Sequence, residues 1–264
     1  RSQKPGKKEK TKVVERPFKG SELSIRLGVG LAFTDRLFAS NIENSPLDST
    51  RASPMLFGFD ASIRWLRPVR LGKAQTRLGL DLLLQDRRFG EVSVPVPPDP
   101  PTLVPIKIEG QRVEATAAWL YTRGPFGLGP YAGFQFFRSA YQETENLVFF
   151  LTTQILSAIS GLEATFSRSR FDLTVRGGFL IPLDVTQSPV DSGEATGTGY
   201  QGQFEGRLRI NERVSIYVLA AINRYELEYR GTASHRDGFY DRDYDQAREV
   251  NRFIDLSSGV QFSF

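Results

Sequence analysis

From Ser21 onward the chain places an apolar residue at every second position, with small or polar residues between them. Leu23, Ile25, Leu27, Val29, Leu31 and Phe33 are separated by Ser24, Arg26, Gly28, Gly30 and Ala32. Side chains of a β-strand point to opposite faces in turn, so a period of two makes a ribbon with one greasy and one polar side. The pattern recurs in Phe57 to Trp65, Leu78 to Leu84, Val113 to Tyr121, Ala132 to Phe136, Ala158 to Phe166, Phe171 to Ile181, Phe204 to Ile210, Val214 to Ile222 and Ile254 to Phe264. Ten such segments, each near the length of about 9–11 residues that a tilted strand needs to cross a bilayer, predict an all-β fold. The expected architecture is a transmembrane antiparallel up-and-down β-barrel of about ten strands, with eight or twelve as alternatives.

Nothing in the chain approaches the roughly 18 consecutive apolar residues of a membrane helix, and runs such as Leu147 to Leu151 are far shorter. The connections alternate between short and long, as a barrel with two unlike ends requires. Short links follow Leu66, Tyr121, Phe166 and Ile210. Long ones run through Ser40 to Ser53, Glu91 to Gly110, Asp184 to Gly199 and Arg230 to Glu249, with a less clear one near Ala140 to Ser157. Trp65, Trp119, Tyr121, Phe166, Phe171, Phe262 and Phe264 fall at the short-turn ends of the apolar rows, whereas Phe33, Phe57 and Phe179 fall toward the other end. Two aromatic girdles are the expected result. The segment Asn146 to Ser160 fits both a helix and a strand, because Leu147, Phe150, Leu151, Gln154, Ile155 and Ala158 also match helical spacing.

The net charge of +4 is unevenly spread. Residues 1–20 carry Arg1, Lys4, Lys7, Lys8, Lys10, Lys12, Arg16 and Lys19 against Glu9 and Glu15, a local balance of about +6 in a stretch without periodicity. This reads as a disordered basic arm ahead of a barrel spanning 21–264. Beyond the arm the lysines are Lys73 and Lys107 alone, so the barrel relies on arginine, whose planar fork holds carboxylate or phosphate bidentately. Zero cysteines suit an oxidising envelope compartment. With no secretory leader ahead of Arg1, the chain is read as a mature or trimmed form.

The chain ends Ser257-Ser258-Gly259-Val260-Gln261-Phe262-Ser263-Phe264. This tail resembles the assembly signal of bacterial outer-membrane β-barrels, in which Ser257, Gly259, Phe262 and Phe264 hold the polar, glycine and two aromatic places. The resemblance implies a Gram-negative outer membrane, assembly by the barrel-assembly machinery, and contact with outer-membrane lipid and lipopolysaccharide. It also implies that the short turns and both termini face the periplasm.

If the apolar rows face lipid, the opposite rows fill the lumen. They carry Arg26, Arg64, Arg77, Arg112, Arg176, Arg207 and Arg209 together with Asp60, Asp81, Glu114, Glu163, Asp172, Glu205 and Asp255. Charges removed from water cost several kcal/mol each unless they find partners, so the balance predicts interlocked ion pairs. Leu56, Leu83, Leu120, Tyr131, Phe137 and Leu180 are expected to fill what remains. A barrel of this size has little interior to spare, which predicts a plugged lumen.

The functional reading that follows is a non-catalytic anchor, adhesion or complex-forming barrel. A narrow pore for small solutes and an outer-membrane lipid or peptide hydrolase are the alternatives. His235, in Ser234-His235-Arg236-Asp237, is the one histidine of the chain, but adjacent Ser, His and Asp do not make a triad without convergent geometry. Asp241, Asp243 and Asp245 start like a calcium loop, yet Gln246 and Arg252 stand where a glycine and an acid belong. No metal or other cofactor is therefore expected. Tyr229, His235, Phe239, Tyr240 and Tyr244 have the amphipathic composition of an outer recognition loop. Val94 to Pro105 is proline-rich and reads as a stiff polyproline segment. The basic arm is expected to meet a periplasmic or envelope protein, or anionic headgroups, and not nucleic acid.

Overall fold

The structure, a computed structural model, describes residues 21–40, 49–52, 56–71, 74–96, 102–143, 152–188, 194–230 and 246–264. Every alternating segment becomes a strand: β1 (Glu22–Ser40), β2 (Ser49–Ala52), β3 (Leu56–Leu71), β4 (Ala74–Val96), β5 (Thr102–Arg123), β6 (Phe126–Glu143), β7 (Thr152–Arg168), β8 (Phe171–Ser188), β9 (Glu194–Arg209), β10 (Val214–Arg230) and β11 (Gln246–Ser263). From β3 to β11 each strand pairs antiparallel with the next, and β11 pairs back onto β1 from Ser24↔Ser263 to Ser40↔Ala247. That last ladder closes the sheet and leaves the barrel without an edge. β2 is not an extra stave: it pairs with β1 at Asp35↔Ala52, just past the point where β3 begins at Ala32↔Leu56. The two form one line along the same side of β1, so the barrel has ten strands.

The segment that fitted either helix or strand is strand from Thr152 onward, with the alternating burial of β7. Residues 144–151 lie outside those described. Two short turns need a backbone in the left-handed region, met by Gly124 at φ 58° and by Ser169 at φ 34°. At the seam, Gly28 lies opposite Gly259. A Cβ on Gly259 would lie 2.1 Å from the Leu27 carbonyl oxygen and 2.6 Å from the Gly28 Cα, so close approach fixes that residue as glycine.

The long strands run for 16 to 23 residues, well beyond a bilayer crossing. Their outward rows show where the crossing ends. On β1 the outward row is apolar from Leu23 to Phe33 and then meets Asp35; on β4, Leu80, Leu82 and Leu84 are followed by Asp86; on β10, Ile216, Val218, Ala220 and Ile222 are followed by Arg224, Glu226 and Glu228. Gln111, Arg138, Gln154 and Arg252 mark the same change on β5, β6, β7 and β11. The register joins these positions: Asp86↔Gln111, Gln111↔Arg138, Arg138↔Gln154, Asp35↔Arg252 and Arg252↔Arg224 are all direct partners. They trace a polar line along β1, β4, β5, β6, β7, β10 and β11, above which those strands leave the apolar band, whereas on β3 the exposed Phe59 stands opposite Asp86.

Above that line the alternation inverts. Ile108, Tyr225, Leu227, Tyr229 and Ala247 point inward and are buried, while Lys107, Glu109, Glu226, Glu228 and Arg248 point outward. On β10 the interior is thus apolar where the outward row is charged, while elsewhere at the loop end the interior also holds the buried polar residues Arg36, Glu249 and Asn251. The apolar rows of the predicted segments face outward as expected, and stretches read from the sequence as loops continue as strand beyond them. This shortens the long connections: Glu91 to Gly110 is mostly β4 and β5, paired as far as Val96↔Thr102. Pro97, Pro98, Pro100 and Pro101 lie outside the described residues, while Pro95 and Pro105 accordingly sit on paired strand. Both lie where their strand has a partner on one side only, the position at which a residue without an N–H is tolerated.

Candidate functional site

The lumen residues form connected layers from the turn end to the loop end. Nearest the turns, Arg209 grips Asp172 with two nitrogens at 2.6 and 2.9 Å, and Arg207 Nε donates to the same carboxylate at 2.8 Å. Arg77 is half-buried on the inward row of β4 at this level. Deeper in, Arg64 and Arg176 share two acids. Arg64 donates to Glu163 at 2.5 Å and lies 3.6 Å from Asp81, while Arg176 donates to Glu163 at 2.6 Å and also pairs with Asp81. Arg26 pairs with Glu205 and donates to Ser62 Oγ at 2.6 Å.

Arg87 occupies the next layer with no solvent exposure. Its Nε donates to Asp255 at 2.5 Å, and its second terminal nitrogen reaches both Asp60 at 2.8 Å and Asp255 at 2.9 Å. The remaining nitrogen donates to the Phe59 carbonyl at 2.8 Å. Tyr217 Oη donates to Asp60 at 2.6 Å across the space that Gly28 leaves open, and Gln85 donates to Asp255 at 3.2 Å. Above this, Arg112 pairs with Glu114 and reaches Gln85 and Gln201. The Gln135 amide lies against Gln201 and Tyr225, and Gln201 donates to Tyr131 Oη at 2.9 Å.

An apolar plug caps the charged layers. Phe137 stacks on Tyr225 at 5.8 Å and meets the edge of Phe253 at 5.7 Å, with Leu180, Ile155, Ile159 and Leu227 filling in around them. Toward the loop end a second polar knot surrounds Glu249, which is fully buried. Arg36 Nε lies 2.7 Å from it, and Tyr229 Oη, Asn251 Nδ2 and Gln187 Nε2 donate to it at 2.7, 2.8 and 3.1 Å. Thr153 Oγ1 adds a fourth donor at 3.2 Å. The knot ties β1, β7, β8, β10 and β11 together.

The charged residues expected in the lumen lie on inward rows, and Leu83, Leu120, Tyr131, Phe137 and Leu180 are buried as space-fillers. The side chain of Leu56 lies outside the described residues. Sequence reasoning missed Arg36, Arg87, Glu249, Gln85, Gln135, Gln201 and Tyr225. Parity was the available signal, since Arg87 follows Asp81, Leu83 and Gln85 on one row, and Glu249 precedes Asn251, Phe253 and Asp255 on another. Tyr229 was expected on an outer recognition loop, but it ends an inward row and is buried against Glu249. His235, Phe239, Tyr240 and Tyr244 lie outside the described residues. Ser257 and Gly259 face inward on the closing strand, whereas Phe262 and Phe264 project outward at the turn end.

With the ten-stranded closure and the filled lumen in view, comparison with solved structures finds likeness to bacterial outer-membrane barrels. The outer membrane protease OmpT from Escherichia coli matches with a TM-score of 0.51 at 12% identity, over 93% of this chain and 97% of that one. The fold is that of bacterial outer-membrane β-barrels. OprG from Pseudomonas aeruginosa matches at a TM-score of 0.39 and 9% identity, over 93% of this chain and 97% of that one. No family model and no curated sequence matches the chain.

Proposed function

We propose that the protein is an integral barrel of a Gram-negative outer membrane, with its turns and termini in the periplasm and its extended rim outside, and that it works without catalysis as an anchor or recognition subunit. The observation that carries this reading is the lumen. Charged layers cross-link opposite walls, and the aromatic plug of Phe137, Tyr225 and Phe253 sits on top of them. A channel needs a continuous wet path, and one-sign charge along it if it is to select ions; here arginines are matched against carboxylates layer by layer. What faces outward is a long rim, suited to holding a partner or lipopolysaccharide clear of the membrane surface. The basic arm, residues 1–20, would reach a periplasmic or envelope partner. The C-terminal tail through Phe264 would be the handle for barrel assembly.

Planar-bilayer recording of the purified full chain tests this. The expected trace shows no single-channel steps. Regular steps from the unaltered chain would make it a narrow pore. Lipid or peptide hydrolysis that disappears in His235→Ala would make it an enzyme.

A further inference from the structure

The two rims treat their arginines differently. Among the described residues, the exposed arginines toward the loop end all have carboxylate partners. Arg88 pairs with Asp86 at 3.5 Å, Arg230 with Glu228 at 3.7 Å, Arg248 with Glu226 at 3.3 Å, and Arg252 with Asp35. Toward the turn end, Arg67, Arg123, Arg168, Arg170 and Arg213 are exposed, and none makes an ion pair with a described residue. Of the acids at this end, Asp172 is committed to Arg207 and Arg209, Glu22 lies against Ser263 and Arg207, and Glu212 stands beside Arg213 in the turn after β9.

Their placement follows a rule. Arg67 stands one step beyond Trp65 on the outward row of β3, Arg123 one step beyond Tyr121 on β5, and Arg168 one step beyond Phe166 on β7. Three strands running toward the turns therefore carry, at or near their ends, an aromatic residue, an inward residue and an arginine. Arg170 and Arg213 add cations at the turns that follow β7 and β9. Aromatic rings favour the border between acyl chains and headgroups, and a guanidinium just beyond that border is level with the phosphates.

We propose that the turn rim is a binding collar for anionic phospholipid headgroups, each arginine fork holding a phosphate while the neighbouring ring sits at the acyl boundary. The proposal rests on the membrane-spanning reading above. Lipid is favoured over a protein partner because the cations recur around the rim on rows that face the bilayer, where a docked protein would use one flank. An anionic surface attracts each such residue with about 1 kcal/mol, which is about fivefold in affinity.

The full chain and the variant Arg67→Gln/Arg123→Gln/Arg168→Gln are refolded into vesicles of phosphatidylcholine, and of phosphatidylcholine mixed with phosphatidylglycerol. Spin-labelled lipids then report the selectivity of the barrel for phosphatidylglycerol. The unaltered chain is expected to prefer phosphatidylglycerol, and the variant to lose about fivefold for each site removed. Arg230→Gln/Arg248→Gln, at the opposite rim, is expected to keep the preference. An undiminished preference in the turn-rim variant overturns the proposal, as does an equal loss in the loop-rim control. Capture of a polyglutamate peptide by the turn rim without phosphatidylglycerol selectivity also overturns it, in favour of a protein dock. Failure of the unaltered chain to form its heat-modifiable folded band in either vesicle is a different result, and it strikes the membrane reading itself.

Discussion

Replacing Arg87 with alanine removes the cation that sits between Asp60 and Asp255. The side chain is fully buried, and so is that of Asp255, while Asp60 is 5% exposed. Four hydrogen bonds are lost at once, three of them to carboxylates. Asp60 keeps Tyr217 and Asp255 keeps Gln85, but neither partner carries a compensating charge. Removing one partner from a buried ion pair costs about 3–5 kcal/mol, because the charge left behind has neither water nor counterion. Equilibrium urea unfolding of the barrel in phosphatidylcholine vesicles, followed by the fluorescence of Trp65 and Trp119, should show a loss of that size. The mechanism makes a second demand: Arg87→Met combined with Asp60→Asn and Asp255→Asn should recover most of the stability, since it removes charge and countercharge together. A loss below about 1 kcal/mol for Arg87→Ala, the scale of a solvated surface pair, would refute the reasoning. So would a triple variant less stable than the single one.

Other perturbations give equally definite outcomes. Gly259→Ala places a methyl group against the β1 backbone at the seam, so the folded band on a heat-modifiability gel should weaken while secretion-independent expression is unchanged. Glu249→Ala removes the carboxylate on which Arg36 and several donors of the loop-end knot converge, and hydrogen exchange should rise in 224–230 and 246–252 while 214–222 stays protected. Phe137→Ala removes the ring that links Tyr225 to Phe253. It should cost about 3–5 kcal/mol in the same unfolding assay, and the charged layers beneath should still keep a planar bilayer silent.

The membrane-crossing part of the fold was legible because lipid outside and ions inside enforce a sharp two-residue contrast, as in Leu80-Asp81-Leu82 or Ile254-Asp255-Leu256. The upper barrel was not, because its contrast is reversed. In Arg224-Tyr225-Glu226-Leu227-Glu228-Tyr229 the charged residues face water and the apolar ones face the interior, so a strand read as greasy-side-out is cut off at Ile222 although it runs to Arg230. The same inversion sent Tyr229 to an outer loop, whereas Arg36 and Glu249 escaped because the outward residues beside them, Asp35 and Arg248, are charged as well. Prolines added to the error, since Pro95 and Pro105 suggested a break where one-sided pairing accommodates them. The ion-pair partners themselves were beyond sequence. Arg26 and Glu205, or Gln85 and Asp255, meet across the lumen, and only the tilt and register of the closed sheet decide which inward residues share a level.

The outward row of β10 tests the central claim most directly. The chain has no cysteine, so a single nitroxide can be placed in turn at Ile216, Val218, Ala220, Ile222, Arg224, Glu226 and Glu228 in vesicles, and its collisions with oxygen and with a water-soluble nickel chelate compared. Oxygen should dominate through Ile222 and the nickel chelate from Arg224 onward, with the inward positions Leu219 and Ala221 shielded from both. Nickel access at Val218, or oxygen dominance persisting to Glu228, would contradict a wall that is greasy below Arg224 and wet above it.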